Sequence, residues 1–86
     1  MPYEVVVGRS AEKELRGLTQ EWRRRIAARL STLAEDQHPN QSTRLQGSEH
    51  FRLRVGDYRV IYSVDDSIEV VTILAIGHRR EVYRDL

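Results

Sequence analysis

Eighty-six residues allow one hydrophobic core, so a single domain spanning residues 1–86 is expected. Charged residues make up 31% of the chain, yet 14 basic and 13 acidic side chains leave a net charge of +1. The chain as a whole is therefore no polycation, and any polyanion site must arise from local clustering. The absence of cysteine excludes disulfides and thiolate metal sites. His38, His50 and His78 lack helical metal-ligand spacing, so neither a metal nor a cofactor is expected.

The N-terminus runs straight into MPYEVVV, without a signal peptide or an apolar run of membrane length. A soluble, cytoplasmic protein with no membrane partner is the expectation. Tyr3 to Val7 is a β-branched run ended by Gly8 and reads as a first strand. Ser10 suits a helix N-cap, with Glu12 in the first turn, where the helix dipole favours an acid. Ala11, Leu15, Leu18 and Trp22 recur at helical spacing, but Gly17 interrupts them and Thr19 can cap a new helix. The pattern predicts a short helix from Ser10 to about Gly17 and a longer one from about Gln20 to Glu35. The longer one places Trp22, Ile26, Leu30 and Leu33 on one stripe, with Arg23, Arg24, Arg25 and Arg29 mostly off it. An arginine run of this kind reads first as a solvated helix face and second as a contact for RNA or a protein partner. His38-Pro39-Asn40 stops the helix, and Gln41 to Glu49 reads as a polar loop in which Arg44-Leu45 begins the approach to the next element.

FRLRVGDYRVIY, from Phe51 to Tyr62, reads as a β-hairpin with Gly56-Asp57 at its tip, most easily as a type II′ turn. That register sets Val55 against Tyr58, Arg54 against Arg59 and Leu53 against Val60. One face then carries Phe51, Leu53, Val55, Tyr58, Val60 and Tyr62; the other carries Arg52, Arg54, Arg59 and Ile61. Like charges opposite one another destabilise a sheet, so three guanidinium groups on one face call for a counter-charge. Solvent or acids from a neighbouring element could provide it; so could a polyanion, phosphate above all, which arginine holds bidentately.

Asp65-Asp66-Ser67 marks a second turn, and Ile68 to Ile76 is the most apolar run of the chain. A three-residue loop aligns Ile68, Val70, Thr72, Leu74 and Ile76 with the core and keeps Glu69 out of it. Val71, Ile73 and Ala75 then form an apolar strip on the arginine-bearing face, where a protein partner or the chain's own tail would cover it. Beyond Gly77 follows a basic tail, His78-Arg79-Arg80-Glu81-Val82-Tyr83-Arg84. The order strand, helix, helix, three strands predicts an α+β two-layer domain: an N-terminal strand, a two-helix hairpin, then a three-stranded antiparallel meander joining one sheet.

Arg52, Arg54, Arg59, Arg79 and Tyr83 form the candidate constellation, with His78 and His50 near it in sequence. Arginine stays protonated and can only neutralise charge developing on a phosphate. A base must come from elsewhere: a histidine, or a tyrosine whose pKa neighbouring cations lower. No carboxylate pair marks a metal-dependent nuclease. RNA can be cleaved without metal, because the neighbouring 2′-hydroxyl is an internal nucleophile.

FRLRVGDYRVIY followed by AIGHRREVYRDL resembles the RelE toxins of type II toxin–antitoxin systems, within the RelE/ParE superfamily, and the similarity covers nearly the whole chain. The resemblance implies a toxin that cleaves mRNA on the ribosome, inhibits translation and is silenced by a cognate antitoxin. It implies that Arg52 and Arg54 contact the RNA backbone, that Arg59 and Arg79 stabilise phosphate, and that Tyr83 takes part in catalysis. His78 falls where members vary, and is grouped with the RNA-binding residues. Val71, Ile73 and Ala75 are the expected antitoxin contact. The segment between Arg79 and Tyr83 is shorter than in some members, and Leu86 leaves little room for a C-terminal helix. Two further readings remain: a ParE-like poison of DNA gyrase, which shares the fold but is no nuclease, and an inactive relative that only binds antitoxin.

Overall fold

The β-branched run at the N-terminus becomes β1 (Glu4–Val7), the first of five strands in a computed structural model that describes residues 2–78. Helix α1 (Arg9–Arg16) starts one residue before the expected Ser10, because Gly8 is its cap and its carbonyl accepts from Glu12 N–H at 2.9 Å. Gly17 ends α1. Thr19 caps helix α2 (Gln20–Thr32), its hydroxyl accepting from Trp22 N–H at 3.4 Å. The helix stops short of Glu35: the Gln37 side-chain amide donates to the carbonyls of Leu33 and Ala34, both at 3.0 Å, and so satisfies groups the ended helix leaves open.

Ser42–Arg44 forms a short strand, β2, where the sequence predicts only loop. The hairpin follows as expected: β3 (Phe51–Val55) and β4 (Tyr58–Asp65) pair antiparallel from Phe51 opposite Tyr62 to Val55 opposite Tyr58. Gly56 has φ +59° and Asp57 no positive φ, the signs a type II′ turn requires. A Cβ at Gly56 would also lie 2.5 Å from the Trp22 ring, so the turn is pressed directly onto α2.

The turn after β4 is longer than predicted. It occupies Asp66–Glu69, with Glu69 at φ 56°, and Asp65 Oδ1 gathers the N–H groups of Ser67 and Ile68 and the Ser67 hydroxyl. Ile68, expected on the core face, is 66% exposed in that turn. Strand β5 (Val70–His78) pairs antiparallel with β4 and parallel with β1, giving the sheet order β1-β5-β4-β3-β2. The described residues thus make the expected α+β domain, with an edge strand added and a parallel closure between first and last strands.

The ladder between β4 and β5 slips by one residue: Ile61 faces Ala75 but Tyr62 faces Ile73, leaving Leu74 as a bulge. Ile76 therefore points into the core as predicted, whereas upstream of the bulge the facing reverses. Val71 and Ile73, expected on the arginine face, are fully buried among Ala11, Ile26, Leu30, Leu33, Leu53, Val60 and Tyr62. Beyond the end of β1, the edge of β5 is covered by α1, and the Glu14 carboxylate accepts from Ile76 N–H at 3.1 Å.

Candidate nucleic-acid interface

On the side of the sheet away from the helices, Arg54 lies opposite Arg59 and Arg52 opposite Ile61. The pleat of one tight hairpin is enough to bring the three arginines together. Arg54 is exposed, whereas Arg52 and Arg59 are half-buried. Ile61 beside them is fully buried and has Ala75 as its neighbour on β5. Arg59 has Gly77 opposite it, so its β5 flank carries no side chain. Guanidinium groups in such a row could hold a phosphate bidentately.

The remaining predicted residues separate. His78 stands opposite Tyr58 at the hairpin end of the sheet, its ring 5.2 Å from the Tyr58 ring in a T-shaped contact. Tyr58 in turn packs on Trp22 of α2, at 4.7 Å between centroids. His78 thus sits on the helix side of its strand, one residue beyond Gly77 and across the sheet from the arginines. His50 precedes β3 at the opposite end of the sheet. Val71 and Ile73 form no surface strip, since the Leu74 bulge turns both into the core; only Ala75 of the three stays on the arginine face. Arg79 and Tyr83 lie outside the described residues.

A second basic feature draws on part of the α2 arginine run, Arg25 and Arg29. Arg25, Ala28 and Arg29 of α2, together with Gln41, Arg54, Val55, Gly56 and Asp57, line an open groove of about 770 Å³ between the helix and the hairpin tip. The Arg25 guanidinium lies over the Trp22 ring at 4.3 Å, a cation–π contact at i,i+3 spacing. Arg29 Nη2 donates to Gln41 Oε1 at 2.8 Å. The i,i+3 spacing of Trp22 and Arg25 was visible in the sequence; their apposition to the turn was not.

Two helices on one side of a mixed sheet, with arginines on the other, define an α+β protein with a basic sheet face. The family described as ParE toxin of type II toxin-antitoxin system, parDE, matches residues 5–83. Toxin RelG of Mycobacterium tuberculosis is 31% identical over 98% of this chain and 99% of its own. The fold superposes on the RelE of the archaeal RelE–RelB complex from Pyrococcus horikoshii OT3 with a TM-score of 0.83 and 31% identity, covering 94% of this chain and 99% of that one. A mutant of E. coli toxin RelE in the free state gives a TM-score of 0.79 at 28% identity, covering 96% and 92%. The chain belongs to the ParE toxin family within the RelE/ParE superfamily, and is a toxin of a type II toxin–antitoxin system.

Proposed function

We propose that this toxin is a ribosome-dependent mRNA endonuclease that needs no metal. The observation carrying the proposal is the row Arg52, Arg54 and Arg59 on one sheet face. The ribosome would present mRNA so that a ribose 2′-hydroxyl lies in line with its own 3′-phosphate. Attack forms the 2′-O–P bond and breaks the P–O5′ bond, giving a 2′,3′-cyclic phosphate and a 5′-hydroxyl. Arg52 and Arg54 would hold the strand by its backbone. Arg59, and Arg79 by family resemblance, would neutralise charge on the non-bridging oxygens as it grows. Tyr83 would exchange the proton at the attacking or leaving oxygen; His78, on the opposite face of the sheet, would not reach it.

Single-turnover cleavage on programmed ribosomes tests this. Arg59→Ala should slow cleavage by roughly a hundredfold, the loss typical of one transition-state donor, with the melting temperature little changed. A wild-type rate for Arg59→Ala would remove Arg59 from the mechanism. A cognate antitoxin, as RelB is to RelE in the Pyrococcus horikoshii complex, would be the second partner, and the cytoplasm the site of action. Membership of the ParE toxin family favours one further reading, poisoning of DNA gyrase. A gyrase cleavage-complex assay run beside the ribosome assay separates the two.

A further inference from the structure

We infer that the groove between α2 and the β3–β4 turn docks the phosphodiester backbone of a folded RNA, at a place distinct from the strand held by the sheet face. The groove exists because β2 is short. Its ladder ends with Ser42 opposite Leu53, and beyond that point the β3 edge meets only Gln41, whose carbonyl accepts from Arg54 N–H at 3.2 Å. A gap is left between that edge and the α2 side chains.

The chemistry of the gap is cationic. Arg25, Arg29 and Arg54 stand against one carboxylate, Asp57, a surplus of two positive charges. No carboxylate among the described residues lies in ion-pairing range of those three arginines. Two of them are held in place. Arg25 lies against Trp22, and that ring is itself pinned by Tyr58 and by the close approach of Gly56. Stacking uses the face of a guanidinium and leaves its edge donors available. Arg29 is fixed through Gln41, and its Nε–H is buried without an acceptor among the described residues. A phosphate in the groove would be held through the terminal guanidinium nitrogens, which carry the remaining donors.

The lining favours a phosphodiester over an acidic peptide. Peptide docking draws its affinity from apolar and aromatic anchors in pockets. Here the apolar lining is Ala28 and the edge of Val55, which is only 6% exposed. Interfaces with nucleic-acid backbone are polar and strongly cationic instead. Arg54 belongs to both the sheet face and the groove, so a basic band runs round the hairpin edge from one to the other. If the toxin works on ribosomes, the docked RNA is ribosomal. The inference itself does not require the sheet face to be catalytic.

The test is fluorescence anisotropy of the full chain with a labelled, 2′-O-methylated RNA hairpin, which binds but cannot be cleaved. Arg25→Glu/Arg29→Glu should weaken binding at least tenfold. The neutral pair Arg25→Gln/Arg29→Gln should lower the log–log salt slope by about 2, one unit for each phosphate no longer neutralised. The neutral pair also decides the matter if charge reversal prevents folding, as judged by circular dichroism. Arg24→Glu, on the same helix but outside the groove, should change affinity by no more than about twofold. Unchanged RNA affinity in the double variants overturns the inference. So does an equal loss with Arg24→Glu, a wild-type chain that binds no hairpin, or calorimetry in which the double variants lose antitoxin affinity while keeping RNA affinity. A wild-type chain that shows groove-dependent RNA binding but no cleavage on programmed ribosomes would instead retire the endonuclease reading and leave the groove standing.

Discussion

Single-atom changes at two tyrosines test two different roles, one proposed and one structural. Tyr83 is the proposed proton carrier in a stretch holding Arg79, Arg80 and Arg84. Tyr83→Phe keeps the ring and removes the hydroxyl, so a proton-transfer role should cost ~10²–10⁴-fold in single-turnover cleavage, with ribosome binding retained. A rate within a few fold of wild type would remove Tyr83 from the chemical step. Tyr62 is structural. It is fully buried, donates to the Gln37 carbonyl at 2.7 Å, and lies 2.9 Å from Ser42 Oγ. Burial, aided by the Asp36 carboxylate and opposed by the Ser42 hydrogen bond, holds its phenol above the ordinary 10.0. The folded state therefore binds this proton more tightly than the unfolded chain does. That contribution to stability is complete below the unfolded pKa and is lost as pH rises through the folded one. Tyr62→Phe should cost about 1–3 kcal/mol at neutral pH, because the Gln37 carbonyl and the Ser42 hydroxyl each lose a partner, and should flatten the alkaline fall in stability. Urea titrations at a series of pH values measure both effects; an unflattened alkaline limb would mean another group is responsible.

At the level of elements, the hairpin was legible because a two-residue turn fixes register and register fixes facing; its pairings are those that alternation around Gly56-Asp57 gives. The α2 stripe was legible for the same kind of reason, a fixed period. Strand β2 was not, since Ser42-Thr43-Arg44 is a polar edge strand with little apolar alternation to read. The bulge at Leu74 was not either: an extra residue in one strand leaves no mark in a run where every side chain is apolar or small. That run, VVTILAIG, tolerates both facings, and only pairing with β4 and β1 decides between them. The consequence is testable. Ile73→Asp puts a carboxylate into the core, a cost of several kcal/mol from a total of about 5–15 for domains of this kind, and should yield no cooperative melt. Ala75→Asp, on the other face, should melt as a folded protein and show its effect on partner binding. A wild-type melt for Ile73→Asp would mean the strand faces the other way.

Across the whole molecule, a net charge of +1 coexists with a basic sheet face and a basic groove, because acids other than Asp57 are placed away from them, among them Glu12 and Glu14 on α1 and Asp65, Asp66 and Glu69 around the β4–β5 turn. Sequence composition could not distinguish this from an evenly mixed surface, since charge separation is a property of the fold. The sheet order has a different consequence, one of timing. Strand β5 lies between β1 and β4 and brings Val71, Ile73 and Ile76 to the core. A chain still being synthesised, with β5 inside the exit tunnel, has an unpartnered β1 and an unfilled core. Nascent chains stalled before Val70 has emerged should therefore be protease-sensitive, and those stalled after His78 has cleared the tunnel resistant; early resistance would contradict this order of assembly. The toxin's core, on this order of assembly, closes only when Val70–His78 is free to pair with both β1 and β4.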